Sequence, residues 1–305
     1  MQLDNYVNML GSQLKKQYGT RVRKLGIDAG FTCPNRDGTI GKGGCTFCSN
    51  DAFAEPHNAS KSIREQIAAR KQEMKHRNIK YLAYFQSYTN THAELELLNT
   101  LYHQALEQPD IIGISVATRP DCLNESILAL LRDIQQQNKT VWVELGLQTA
   151  NDSTLRRINR GHNFESYKRA AAAIQKYQLD LCCHLILGLP GETQNDYLKT
   201  LQQVLSAGVA GLKLHPLYIV KNSAMARSWR AGRIQVLAQQ DYVTAAVNLI
   251  QHTPKQVLFH RVAAKARAQT LLAPDWVSNK WQPIVDITKA LASRGGQGCK
   301  AQYLL

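Results

Sequence analysis

The chain has 305 residues, of which 44% are hydrophobic and 20% charged, as in an ordinary globular protein that buries a core. Its formal net charge is +14, which predicts a polyanionic partner such as RNA, DNA or an anionic membrane surface, unless the charge is only solvated. The lack of a long apolar run argues against a membrane span, and the N-terminus lacks the order of a signal peptide. We therefore expect a cytoplasmic protein with reduced thiols.

Strand and helix patterns alternate along the chain. Strands are predicted at residues 23–31, 81–86, 110–118, 140–148, 179–190 and 210–220. Helices are predicted near the N-terminus, at about 60–77, at 92–108, at 124–137, from about 153 behind a cap at Asp152, at 164–177 and at 193–207. Six such units in a row predict an α/β fold and favour a partial (β/α)6 TIM-type barrel of parallel strands over a doubly wound sheet, although periodicity alone does not decide between them. Residues 1–225 would form this core, and residues 226–305, with a strand-like stretch at 255–262, a C-terminal α/β extension packed on it.

The loop after the first predicted strand gathers three of the chain's seven cysteines. It reads CPNRDGTIGKGGCTFC over residues 33–48, with the spacing Cys33-x11-Cys45-x2-Cys48. The close pair aims two sulfurs at one point, and the glycines allow Cys33 to join them. Three thiolates suit a four-iron cluster with one open iron, or a zinc ion with His57 as fourth ligand, and the spacing leaves both open. The active site of a parallel α/β fold lies at this end of the strands.

Six motifs resemble those of the radical S-adenosylmethionine (SAM) superfamily, in particular its Elp3-like branch and the YhcC/YtqA-type proteins. The motifs are, in chain order, GFTCPNRDGTIGKGGCTFCS, YFQSYTNT, ATRPD, ELGLQTANDSTLRRINRGH, LILGLPGE and LLAPDWVSNKW. They cover almost the whole chain in the order expected for that branch. The resemblance is therefore far more specific than the cysteines alone.

The resemblance implies two cofactors, a [4Fe–4S] cluster and SAM. Cys33, Cys45 and Cys48 would hold the cluster, whose open iron binds SAM. An electron donor of flavodoxin or ferredoxin type would reduce the cluster, and SAM would be cleaved to a 5′-deoxyadenosyl radical that abstracts hydrogen from an unactivated carbon. No individual catalytic side chain is predicted.

The resemblance also implies where SAM is bound. The implied cofactor-binding positions are Phe47, Gln86, Ser87, Thr89, Glu144, Gln148, Arg160 and His184. Gln148 ends the fourth strand where relatives contact SAM, and Arg160 would bind its carboxylate, since a guanidinium offers paired donors. A charge at a helix end is the alternative for Arg160. Glu144 shares a strand face with Gln148 because side chains alternate, but a buried structural carboxylate is an equal alternative.

Two departures from the family pattern affect these positions. The second strand ends in FQSYTNT instead of a Gly-Gly-Glu type motif, so Gln86, Ser87, Thr89 or backbone carbonyls there would receive the SAM amino group. In the fifth strand His184 replaces a glycine near the adenine, and a satisfied core histidine is as plausible as an inward-facing one.

Substrate contacts are predicted at the sixth strand and in basic stretches. The substrate-binding candidates are Lys213, His215, Arg227, Trp229 and Arg230. The basic stretches are residues 15–24, 69–77 and 226–233, and Trp229 in the last would stack on a base or simply pack. Elp3-like relatives act on wobble uridines, so the resemblance implies tRNA as partner and the uridine C5 side chain as target.

Two other functions remain open at this point. A radical SAM enzyme would act on a metabolite or a protein side chain if the basic surface is incidental. A non-catalytic RNA-binding protein would use the cluster or zinc only structurally. Reductant-dependent cleavage of SAM separates this last possibility from the two enzymes, and an RNA substrate separates the enzymes from each other.

Overall fold

The computed structural model describes residues 2–49, 61–74 and 78–304. Its strands are β1 (Val22–Ile27), β2 (Lys80–Phe85), β3 (Ile111–Thr118), β4 (Thr140–Gln148), β5 (Asp180–Leu187), β6 (Gly211–Pro216), β7 (Ile219–Val220), β8 (Leu258–Arg261) and β9 (Leu271–Ala273). Its α-helices are α1 (Leu10–Tyr18), α2 (Ile63–Met74), α3 (Leu95–Leu106), α4 (Glu125–Gln136), α5 (Asp152–Arg157), α6 (Phe164–Lys176), α7 (Gln194–Ser206), α8 (Ala224–Arg230), α9 (Gln239–His252) and α10 (Trp281–Arg294).

One parallel sheet of seven strands, in the order β1-β2-β3-β4-β5-β6-β8, organises the molecule. The sheet curls into a half-barrel. Lys24 of β1 and His260 of β8 come from its opposite edges, yet their side-chain nitrogens lie 3.1 Å apart in the interior. The predicted partial barrel of parallel strands is confirmed. The stretch predicted within the C-terminal extension supplies β8 of this sheet, and the division of the chain at residue 225 stays a prediction.

The helices pack against the sheet along apolar stripes. In α4, Ile127, Leu128 and Leu131 are buried at the spacing of one helix face, and the Asn124 side chain accepts a hydrogen bond from the Ile127 N–H at the helix start. The buried side chains of α4 join the same apolar cluster as those of the strands. Among the described residues, no helix combines the length and the apolar character needed to cross a membrane.

Two local expectations were wrong. The stretch 210–220 is not one strand: β6 ends at Pro216, and β7 then pairs antiparallel with β9 in a separate two-stranded sheet. Proline has no N–H to continue a ladder, which explains the break. The cap of α5 is Asn151, whose side chain accepts hydrogen bonds from two backbone N–H groups of the first turn. Asp152 instead accepts a hydrogen bond from the N–H of Phe164 and ties α5 to α6.

Candidate active site

A cavity of about 420 Å³ opens at the carboxyl ends of the sheet strands. This volume lies in the range of roughly 300–1,000 Å³ that is typical of small-molecule sites. The predicted residues that line it are Cys33, Cys45, Phe47, Cys48, Gln86, Ser87, Thr89, Glu144, Gln148, Arg160, His184, Lys213 and His215. The structure therefore brings the predicted cysteines, cofactor positions and sixth-strand candidates to one place, while their individual roles stay predictions.

The three candidates on α8 do not line this cavity. Arg227 and Arg230 are exposed on the helix surface, and Trp229 is partly buried against the hydrophobic core. Packing, the alternative for Trp229, therefore agrees with its position, because a side chain fixed in the core is not free to stack on a base. Of the basic stretch at 69–77, residues 75–77 lie outside the described part of the chain.

The cysteine loop is fixed by hydrogen bonds to the segment between α5 and α6. Asn35 Nδ2 donates to the Asn159 carbonyl at 2.6 Å, and Asn159 Nδ2 donates to the Gly44 carbonyl at 2.9 Å. The Thr46 N–H donates to the Ile158 carbonyl at 2.9 Å. Gly44 has a φ of 77°, a conformation that glycine adopts without strain. Contacts with the rest of the protein therefore shape the loop that carries the thiols.

The spread of the three loop sulfurs suits a cluster better than a single metal ion. Among the described residues, three metal-ligating atoms lie within 4.8 Å of one another only at Glu144, Cys182 and His184, so the loop sulfurs are spread more widely. A tetrahedral zinc ion with bonds of about 2.3 Å needs its sulfurs closer together, whereas the thiolates of an iron–sulfur cluster bind different irons. His57, the fourth ligand considered for zinc, lies outside the described residues.

Positive groups and hydrogen-bond donors surround the thiols. Arg160 Nη1 lies 3.3 Å from Cys45 Sγ, and Asn35 Nδ2 lies 3.7 Å from the same sulfur. Arg119 is 2% exposed, and its buried Nη1 has no hydrogen-bond partner in the described structure. Burial and the Cys45 thiol raise the pKa of Cys48 to about 11, so a bound metal would have to displace its proton. These donors fit an anionic cluster.

Arg160 and Thr89 are placed to contact a ligand beside the thiols. Arg160 is 6% exposed, and its Nε and Nη2 donate to the Gly146 carbonyl, with Nε at 3.1 Å. Arg160 is therefore buried and hydrogen-bonded to the protein, and both its role as a SAM ligand and the alternative, a charge at a helix end, stay predictions. Of the polar residues after β2, Thr89 has a buried hydroxyl without a hydrogen-bond partner in the described structure. A buried hydroxyl of this kind can accept a hydrogen bond from a ligand amine.

Glu144 lies at the centre of a buried polar network in the barrel interior. The groups that contact its carboxylate are Lys24, Ser115, His184, Lys213 and His260. His184 Nε2 lies 2.6 Å and Lys213 Nζ 2.8 Å from Oε2. Burial acts to raise the pKa of Glu144, but Lys213 and Lys24 outweigh it and hold the pKa well below its ordinary value. The carboxylate is therefore ionised, and it also faces the cavity.

Burial also shifts the pKa values of other members of the network. Burial lowers the pKa of His184 to about 4 and that of His260 to about 3, so both imidazoles are neutral. Burial also lowers the pKa of Lys213 to about 8, although the negative charge of Glu144 acts to raise it. The close trio of Glu144, Cys182 and His184 does not make a metal site, because ammonium groups already occupy both carboxylate oxygens.

Sequence reasoning missed Lys24, Ser115 and His260 as parts of this site. The basic stretch at residues 15–24 includes Lys24. Because Leu25 and Ile27 of β1 are buried in the core, Lys24 faces the opposite side of the strand, which is the barrel interior. The alternation of β1 could have revealed this. Ser115 lies in β3, which is buried at every position. A hydroxyl in such a strand indicates a buried hydrogen-bond partner, so this residue could have been predicted.

Replacing Asn35 with Ala should loosen the cysteine loop. The change removes the bond to the Asn159 carbonyl and the amide beside Cys45, so we expect the free energy of unfolding to fall by about 1–3 kcal/mol. Thermal denaturation and iron per chain after anaerobic reconstitution would measure the effect. Asn99→Ala, at an exposed position of α3, is the control and should change neither quantity. Unchanged stability and iron content in Asn35→Ala would contradict this account of the loop.

Known proteins are similar to this chain in sequence and in fold. The sequence profile of the Radical SAM superfamily matches residues 33–204, and that of the Radical_SAM C-terminal domain matches residues 209–293. Protein YhcC of Escherichia coli strain K12 is 49% identical over 98% of this chain and 96% of its own length. Protein YtqA of Bacillus subtilis strain 168 is 36% identical over 94% of this chain and 89% of its own.

Two further similarities are more distant. The tRNA uridine(34) acetyltransferase of Dehalococcoides mccartyi strain CBDB1 is 28% identical over 125 residues, which are 40% of this chain and 26% of that protein. The solved structure of Elp3 from the archaeon Methanocaldococcus infernus aligns with 90% of this chain and 64% of its own, with a TM-score of 0.65 and 15% identity. This second likeness shows a shared fold.

The superfamily match and the geometry of the cavity agree. The matched segment begins at Cys33, in the loop after β1, and contains β2 to β5. It includes the three loop cysteines, Gln148 and Arg160, all of which line the cavity. The cofactors of the family are the predicted ones, a [4Fe–4S] cluster and SAM. The chain belongs to the radical SAM superfamily.

Proposed function

We propose that this radical SAM enzyme modifies the C5 side chain of the wobble uridine in tRNA. The observation that carries the proposal is the charge of the cavity. Among the described residues that line it, Glu144 is the only carboxylate, whereas the arginines and lysines are several. A cavity of this kind attracts polyanions, and the net charge of +14 extends the same preference to the whole chain.

The similarity to a tRNA uridine(34) acetyltransferase supports the same substrate class. That protein's name places its chemistry at uridine 34, and the two sequences share a segment that is 40% of this chain. The proposal assigns the present chain to the same class of RNA, with an electron donor of flavodoxin or ferredoxin type as its other partner. A cytoplasmic location is part of the proposal, since tRNA is found there.

The roles proposed for the chain's own residues follow from the cavity. Bound cluster and SAM supply a radical that removes hydrogen from an unactivated carbon. The loop cysteines hold the cluster, Gln148, Arg160 and Thr89 orient SAM, and the interior end of the cavity receives the substrate. Lys213 and His215, on β6, face this interior end. The buried network around Glu144 keeps these side chains in fixed positions while water is excluded.

Mass spectrometry of nucleosides from bulk tRNA tests the proposed substrate. A strain that lacks the protein should lose one modified uridine or accumulate its precursor, compared with its parent. Wild-type protein should restore the nucleoside, and Cys33→Ala should not, because a cluster ligand is missing. Cys299→Ala, which changes an exposed cysteine outside the cavity, should restore it as well as the wild type does.

Identical nucleoside profiles in all of these strains, under several growth conditions, would contradict the tRNA assignment. The membership of the radical SAM superfamily would stand, and a metabolite or protein side chain would become the substrate to seek. Restoration by Cys33→Ala would instead contradict the need for the cluster, and would favour a structural role for the metal.

A further inference from the structure

Positive charge accumulates on the part of the cavity that β6, β8 and the segment after β8 form. Lys213 of β6 and Arg261 of β8 are partners in the register of these strands, and Lys265 and Arg267 follow β8 and also line the cavity. The single carboxylate among the described lining residues, Glu144, already contacts two ammonium groups. Cations therefore outnumber carboxylates among the described residues that line this part of the cavity.

The two inner cations retain hydrogen-bond donors for a ligand. Arg261 Nε is buried and has no hydrogen-bond partner in the described structure. Lys213 Nζ donates to Glu144 at 2.8 Å and to the Tyr84 hydroxyl at 2.6 Å, which takes two of the three donors of an ammonium group. Buried donors without partners are rare in folded proteins, and those that line a cavity indicate a missing acceptor.

A β-bulge places Arg261 on this part of the cavity. Leu212 pairs with Phe259 and Lys213 pairs with Arg261, so His260 is an extra residue in β8. The bulge allows His260 to reach Glu144 and Arg261 to line the cavity, although the two residues are adjacent in the chain. Bulges are common next to active sites, where they redirect a side chain.

We propose that Lys213 and Arg261 bind a phosphate group of the substrate. The proposal rests on the proposed function and deepens it, because it names the group by which a nucleotide would be held. A guanidinium and an ammonium side by side suit the several oxygens of a phosphate. Lys265 and Arg267 also line the cavity and would add charge that attracts a further phosphate of a polynucleotide.

The carboxylate of SAM would have donors of its own beside the thiols. Arg160 and Arg119 lie near the thiols, and Arg119 retains a buried donor without a partner in the described structure. Lys213 and Arg261 are different residues from the donors beside the thiols, although all of them line one continuous cavity.

Calorimetric titrations of the anaerobically reconstituted full chain test the phosphate site. The probes are uridine, uridine 5′-monophosphate and an RNA hairpin with uridines in its loop. The wild type should bind the monophosphate about 10- to 100-fold more tightly than uridine, as expected for charge-assisted hydrogen bonds. Arg261→Gln should remove most of this difference, and Arg261→Lys should keep part of it. Lys265 is exposed, so Lys265→Gln should not affect folding. This change should weaken binding of the hairpin more than binding of the monophosphate.

Arg169→Gln is the matched control, because it removes the same charge from an exposed position of α6. It should leave every affinity unchanged. Equal affinities of the wild type for uridine and its monophosphate, or wild-type affinities in Arg261→Gln, would overturn the phosphate site whatever the fate of the tRNA assignment. A loss of SAM affinity in Arg261→Gln would also overturn it, because it would show that these cations bind SAM. Arg261-dependent binding of the monophosphate without binding of the hairpin would support the site but reject tRNA.

Discussion

Cys45→Ala is expected to fold and to have almost no ability to cleave SAM. Cys45 lies at the centre of the donors contributed by Asn35 and Arg160, and its sulfur is a predicted cluster ligand. Changes to residues that only support metal ligands cost roughly 10–100-fold, so the loss of a ligand should lower cleavage by more than about a hundredfold. The measurement is 5′-deoxyadenosine formed per chain with a strong reductant, together with iron and sulfide content.

Cys299→Ala provides the comparison for this result. Cys299 is an exposed thiol that does not line the cavity, so its removal should change neither iron content nor SAM cleavage. A Cys45→Ala protein that cleaves SAM at the wild-type rate would refute the assignment of the loop. Equal losses in both variants would point to general damage to the chain, and thermal denaturation of each variant would reveal such damage directly.

Glu144→Gln is expected to be among the most destabilising substitutions in the molecule. The carboxylate is fully buried and balances Lys24 and Lys213, which would be left without a counter-ion. Breaking a buried ion pair by removing one partner costs about 3–5 kcal/mol. We expect the melting temperature to fall by on the order of 5–10 °C, since 1 kcal/mol corresponds to roughly 2–4 °C in proteins of 150–250 residues and to less in a longer chain such as this one. Thermal or denaturant unfolding would measure the change.

Two further variants make the result specific. Glu125→Gln removes an exposed partner of Lys176, and such surface pairs contribute at most about 1 kcal/mol, so its effect should be small. Adding Lys213→Met to Glu144→Gln should recover part of the lost stability, because one uncompensated ammonium group is removed. A Glu144→Gln protein as stable as Glu125→Gln would refute the electrostatic account of the network.

Most of the sequence-based predictions about the barrel interior came from the alternation of side chains along the strands. It put Glu144 and Gln148 on one face of β4, and Lys213 and His215 on one face of β6, and these four side chains do line the cavity. The alternation is reliable here because each strand pairs with two parallel neighbours and is covered by helices on its outer face. The chain order of strands and helices likewise predicted the parallel barrel.

Contacts that depend on the curl of the sheet could not be predicted from the alternation of side chains. Alternation shows that Lys24 faces inward, but only the curl brings β1 close enough to β8 for Lys24 to meet His260. The bulge in β8 breaks the alternation, so no rule of period two assigns both His260 and Arg261 to the interior. On α8, the basic residues around Trp229 suggested a nucleic-acid contact, whereas packing of the indole against the core depends on tertiary structure.

The hydrogen bonds that fix the cysteine loop involve amides and carbonyls of Asn35, Asn159, Gly44 and Thr46, and none of them needs a metal. These bonds can form before the cofactor is loaded, so we expect folding of the loop not to depend on it. Iron–sulfur centres are destroyed by oxygen, and in many small metalloproteins the loss of the metal unfolds the chain. Here the emptied loop would keep its shape, so a cell recovering from oxidative stress could refill the existing protein with iron and sulfide instead of synthesising a new copy.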